Sequence, residues 1–294
     1  MLWMNAGVYD ESPLYTWVKT FSVPFLRKAA IRCIATIVYR FFFGQYHAAL
    51  LGRIPVSRVD HQLDRKIPFV PAWIKIYLDF VPYWIRMLSF VLRKFGRRSY
   101  SQVREFIVSM GELYSYAAET YQKNLSTTDR PFYIVRPHFF FIHLLDPHLM
   151  CVPSLHVMVV IWTYVRFADM LRSLGAAEKY AVQIDEMKQG ALAITEAILF
   201  VKQHSVNCIP AALYAMTRFN PRLFPPEEAD SFIDRLFDSA PKACPYSPPK
   251  TKLRGEDIAA IKFHIRILYR QFLAARSSDW KEPILHFLQG MPGK

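Results

Sequence analysis

Apolar stretches of nearly bilayer-spanning length recur along this chain, and they limit its fold more than any other feature. A spanning helix needs about 20 mostly apolar residues. About six segments are candidates, none perfect: Ala29 to Leu51, Ile67 to Leu92, near Arg104 to Tyr121, Pro147 to Val165, and two shorter ones near Gly190 to Val201 and Ser205 to Thr217. Pro147 to Val165 carries no Asp, Glu, Lys or Arg, whereas Arg32 and Arg40 interrupt the first segment and Lys75, Asp79 and Arg86 the second. Charges inside a span are costly and face a protein interior or a wet cavity. The segments predict an all-α fold.

Their number predicts a polytopic six-helix membrane bundle over 27–219. An N-terminal cytoplasmic segment, 1–26, precedes it, and a soluble helical tail, 220–294, follows it. Trp73, Tyr77, Tyr83 and Trp84 are the kind of aromatics that settle at headgroup level. The connector Arg93 to Ser99, "RKFGRRS", is basic without an acid and falls in the cytoplasm by the positive-inside rule. Both termini then lie inside, and the chain is expected to be a multi-pass integral membrane protein. Periodicity alone also fits a buried bundle, so a soluble all-helical interaction protein is the alternative.

Several function classes are not expected. The net charge of +13 is dispersed between apolar segments, without zinc-finger spacing or an arginine-rich tail, so nucleic acid is not the predicted partner. No basic n-region precedes an apolar core at the N-terminus, so no cleaved signal peptide is expected. Cys33, Cys151, Cys208 and Cys244 form no CxxC pair and read as small buried residues. His138, His143, His148 and His156 fit no standard metal spacing, so neither metal nor cofactor is expected. The oligomeric state is open.

The stretch "MCVPSLHV", Met150 to Val157, places a histidine just behind a helix start. Proline suits the first turn, where its missing N–H is no loss. Ser154 follows where it can cap the helix or hold an anion beside free backbone N–H groups. His156 is then placed to hand a proton to a leaving oxygen. Further on, "LFVKQHSVN" puts Lys202 and His204 between two apolar segments, and imidazole can attack phosphorus. Earlier, "YIVRPHFF" offers Arg136, whose guanidinium suits phosphate oxygens. Taken singly, each histidine reads more readily as a hydrogen-bonded structural residue.

Together the blocks "RP" (Arg136-Pro137), "PSLH" (Pro153 to His156) and "KQH" (Lys202 to His204) resemble the type 2 phosphatidic acid phosphatase superfamily. The likeness covers roughly residues 60 to 220, and the PSLH form is similar to its lipid phosphotransferase branch. The resemblance implies that His204 is the nucleophile, His156 the proton donor, and Ser154 and Arg136 phosphate ligands. Lys202 adds a phosphate contact by position. It further implies a phospholipid or polyprenyl phosphate substrate, no metal, and a site on the non-cytoplasmic face.

Three positions depart from the pattern. Asp129 stands where the family has a lysine, with Arg130 beside it. Ile198 replaces an arginine, and Cys208 replaces the aspartate that orients the nucleophilic ring. The Cys208 substitution leaves a second expectation, a catalytically impaired pseudoenzyme that binds lipid or a protein partner. In the tail, Ile258, Ile261, Ile265, Leu268 and Phe272 recur near helical spacing with Lys262, Arg266 and Arg270 between them. That stretch predicts a basic amphipathic helix, packed on the body or lying on anionic lipid.

Overall fold

A computed structural model describes residues 7–133, 135, 139, 146–238, 246, 249 and 251–293. The chain is predominantly helical, as the apolar segments predict. The helices are α1 (Pro13–Ser22), α2 (Pro24–Thr36), α3 (Gly44–Leu51), α4 (Ile74–Leu78), α5 (Phe80–Phe95) and α6 (Tyr100–Tyr121), then α7 (Leu155–Ser173), α8 (Ala181–Phe200) and α9 (Cys208–Phe219), and last α10 (Pro226–Arg235), α11 (Gly255–Ala274) and α12 (Glu282–Gln289). None of the helices among the described residues is long and apolar enough to cross a membrane.

The expected segments break for local reasons. The first gives α2, then a π-helical stretch over Ile37–Phe43, then α3. The second breaks at Asp79, whose carboxylate accepts hydrogen bonds from Arg86 and from the Tyr246 hydroxyl. Those pairings satisfy charges that bare lipid would not. The third becomes α6, which buries Val103, Phe106, Met110, Leu113, Ala117 and Tyr121 at three- and four-residue spacing. Its outward positions include Arg104, Glu105, Glu112 and Glu119. The fourth begins at Leu155 rather than Pro147, because the chain before it is extended.

That extended chain adjoins a two-stranded sheet. β1 (Val56–Arg58) runs parallel to β2 (Leu125–Thr127), and Met150 bridges to Ser126. Three-residue strands have too little alternation to show in a sequence.

α7 sits at the centre, with fourteen of its residues buried. It packs against α5, α6, α8 and α9. Of the four aromatics singled out in the sequence, Trp73, Tyr77 and Tyr83 are buried in this core and Trp84 is half-buried against it. Tyr83 donates from its hydroxyl to the Met187 carbonyl at 2.6 Å, and Trp73 packs on Phe200 with centroids 4.7 Å apart. The tail helix α11 takes the first of its two expected placements. Ile261, Ile265, Leu268 and Phe272 are buried against the body, and the Tyr269 and Thr217 hydroxyls meet at 2.9 Å.

The N-terminal turn is tied to α8 through a glycine. A Cβ placed on Gly190 would stand 1.9 Å from the Tyr9 hydroxyl and 3.0 Å from a Tyr83 ring carbon. Overpacking of this kind costs about 1–3 kcal/mol. Gly190→Ala is therefore expected to lower stability by that amount in urea denaturation, and Tyr9→Phe, which removes the worst contact, to restore part of it. Additive single-variant effects would contradict the contact.

Candidate active site

Two turns, distant in sequence, interlace ahead of α7 and α9. The Ser154 amide donates to the Cys208 carbonyl at 3.4 Å, and the Cys151 amide to the Ser126 carbonyl at 3.3 Å. The Tyr121 hydroxyl donates to the Pro153 carbonyl at 2.5 Å. These bonds fix the start of α7 against the loop leading into α9. They bring the His156 and His204 rings together, with centroids 5.3 Å apart and planes at 70°. His156 is the more exposed of the two and is walled by Tyr77, stacked at 4.6 Å, and by Phe80 at 4.2 Å.

Ser154 is the N-cap of α7 in extended conformation, yet its side chain makes no capping bond. Its Oγ is fully buried and has no hydrogen-bond partner. Capping serines ordinarily bond a first-turn amide. Here the hydroxyl and the helix N-terminus both remain available to an anion. His204 Nδ1 is likewise buried without a partner. The nearby Cys151 backbone favours the protonated form of His204, an effect that burial outweighs. Cys208 is buried, and burial pushes its thiol well up, so it brings no negative charge. Asn207 is committed elsewhere, donating to the Val59 carbonyl at 3.1 Å and meeting His264 Nε2 at 2.7 Å.

Both imidazoles are neutral at ordinary pH. Burial lowers His156 to about 4, and burial followed by the His156 and His148 charges holds His204 well below its usual value. His148 behaves oppositely. Burial pulls it down, but the Cys151 sulfur and the hydrogen bonds to Asp146 and Cys151 overcome that and raise it to about 9. Its Nε2 lies 2.9 Å from Thr128 Oγ1 and 3.7 Å from Cys151 Sγ. A cationic His148 thus stands near two neutral rings.

The sequence-selected residues divide. The His156 and His204 rings meet, and Ser154 caps the helix on which His156 lies. Arg136 lies outside the described residues. Lys202 donates from its Nζ to the Asp64 carbonyl, so that ammonium is already engaged. Arg130 supplies a guanidinium beside the third block, donating to Gln203 Oε1 at 3.3 Å and to the Asp146 carbonyl at 2.9 Å. Its signal was in the sequence, one position from the lysine that the resemblance expects at 129. Tyr77 and His148 gave no such signal, because stacking and tertiary charge are invisible in one dimension. Among the described residues no cluster of His, Cys, Asp and Glu is arranged to hold a metal ion.

A cavity of about 320 Å³ reaches this site from the side. It runs between α1, α2, α5 and α6, lined by Trp17, Ile34, Val38, Phe41 and Trp84, and ends on Leu155 and His156. Its wall is almost wholly apolar.

No family model matches the chain, and no curated protein or solved structure matches it either.

The neutral state of His156 has a consequence for stability. Between about 4 in the folded chain and 6.5 in the unfolded one, the unfolded state binds the extra proton. Stability therefore falls as pH drops through that window, by roughly 3 kcal/mol from this residue. His156→Phe keeps the contact with Tyr77 and Phe80 and removes the titration. It is expected to flatten the melting temperature between pH 6.5 and 4, and an unchanged slope would contradict the assignment.

Proposed function

We propose that this chain is a lipid phosphatase or phosphotransferase acting on a phospholipid or polyprenyl phosphate through a phosphohistidine. The observation that carries the reading is the pair of imidazoles brought together from distant turns, with His204 Nδ1 and the Ser154 hydroxyl both buried and unpartnered. The apolar cavity ending on His156 suits the hydrocarbon part of such a substrate.

The chemistry follows from the neutral rings. A phosphate monoester brings negative charge to the N-terminus of α7, Ser154 Oγ and the Arg130 guanidinium. That charge raises the proton affinity of His156. His204 Nδ1, with its lone pair free, attacks phosphorus, and the P–O ester bond breaks. The leaving alkoxide takes its proton from His156. In the second half His156 takes a proton from water or a lipid alcohol, whose oxygen displaces His204 from phosphorus. Water gives phosphatase activity and an alcohol gives transfer. As the rings stand, edge to face at 5.3 Å, phosphorus does not fit between them. His156, the less confined ring, turns aside on binding.

A second reading draws on Cys208. With a neutral thiol in place of the aspartate, the phosphohistidine step lacks a charged orienting group, and the site then binds a lipid phosphate without turnover.

Phosphate release from phosphatidic acid in detergent micelles tests the first reading. His204→Ala is expected to remove release entirely, and His156→Ala to lower it about a hundredfold or more. Arg130→Gln is expected to raise KM more than it lowers kcat. Wild-type protein quenched during turnover should carry acid-labile, base-stable phosphate that His204→Ala lacks. Binding without release or phosphoenzyme would favour the second reading.

A further inference from the structure

The N-terminal helices carry a surface that neither the fold nor the candidate site explains. Among the described residues, thirteen of the nineteen exposed large apolar side chains lie between Leu14 and Leu51. The most prominent are Leu14, Val18, Tyr39, Phe43 and Leu50, with Leu50 83% exposed. From Ser12 to Val59 the sequence holds seven basic residues and no acid. Of these, Arg27, Lys28, Arg32, Arg40 and Arg53 are exposed and take part in none of the ion pairs among the described residues. On α2, Phe25, Lys28, Ile31 and Arg32 interleave on the outward side, while Leu26, Ala29, Ala30 and Cys33 face in. The outward positions of α6, by contrast, mix both signs of charge.

We propose that α1, α2, the π-helical stretch and α3 form a docking surface for an anionic phospholipid bilayer, lying in its interface rather than crossing it. Exposed apolar side chains interleaved with unpaired cations fit a headgroup–acyl boundary. A second copy of the chain is the poorer occupant, since a two-fold contact would set these like charges against each other. The cavity opens in the same surface. Trp17, Ile34, Val38 and Phe42 are exposed and also line it, so docking sets its mouth against the acyl layer. The attachment stands on this surface and not on the catalytic reading.

Cosedimentation of the full chain with vesicles tests the proposal. Binding is expected to vesicles containing phosphatidylglycerol, to fall at least tenfold on pure phosphatidylcholine, and to weaken as salt rises. Phe43→Asp with Leu50→Asp, both outside the cavity, should reduce partition at least tenfold, as should Arg27→Glu with Lys28→Glu. Unchanged melting temperatures in both variants establish that the fold is intact. Equal binding to neutral and anionic vesicles overturns the proposal. So does indifference to both variant pairs, or a dimer in lipid-free solution that the same substitutions dissolve while vesicles bind nothing. Phosphate release from micelle-dispersed substrate reports on the catalytic reading separately, so the two fail independently.

Discussion

Two imidazole rings packed with centroids 5.3 Å apart resist both becoming imidazolium. Burial is the main force that keeps His156 and His204 neutral, and each would repel a charge on the other. In the proposed reaction a phosphate supplies the negative charge that stabilises one imidazolium, and the ring that keeps its lone pair is the nucleophile. The two rings differ in their surroundings: His204 Nδ1 is buried without a partner, whereas His156 rests between Tyr77 and Phe80.

The interlacing of the turns around 151–156 and 204–208 brings the two rings together. Parallel β1 and β2 and the Met150 bridge hold the strand-like approach to α7. Ser154 caps the helix with its backbone while its hydroxyl stays uncommitted. Arg130 and a cationic His148 add positive charge near the rings, offset in part by Asp146. Cys208, buried and with its thiol pushed up by that burial, brings no negative charge to the His204 ring.

Much of the helical order was legible from apolar periodicity. α6, α8 and α9 fall on expected segments, and α11 buries the stripe that its spacing marked. Membrane-like length in the sequence does not return as spanning helices: none of the helices among the described residues is long and apolar enough to cross a membrane. Apolar runs of this size arise equally from helices buried on several sides, as in α7, and hydropathy does not register the breaks at Asp79 and Ile37–Phe43. Charges that looked costly inside a span are neutralised in pairs, as Asp79 is by Arg86. At the site, Ser154 and His156 were visible because local helix-start chemistry marks them, His204 because it stands between two apolar segments, and Arg130 as the neighbour of position 129. His148 and Tyr77 were not, because their roles come from contacts that only the folded chain makes. Lys202 was selected by its place beside His204, yet its φ of 55° turns that residue away from regular geometry and its ammonium meets Asp64.

The central claim is the unequal protonation of the two rings, and nitrogen-15 spectra of histidine-labelled protein read it directly. At pH 6 without ligand, both His156 and His204 should report neutral rings. Adding orthovanadate, a phosphate mimic, should protonate His156 and perturb Nδ1 of His204 without protonating it. Two rings that are already cationic, or a spectrum that vanadate leaves unmoved, would contradict the account.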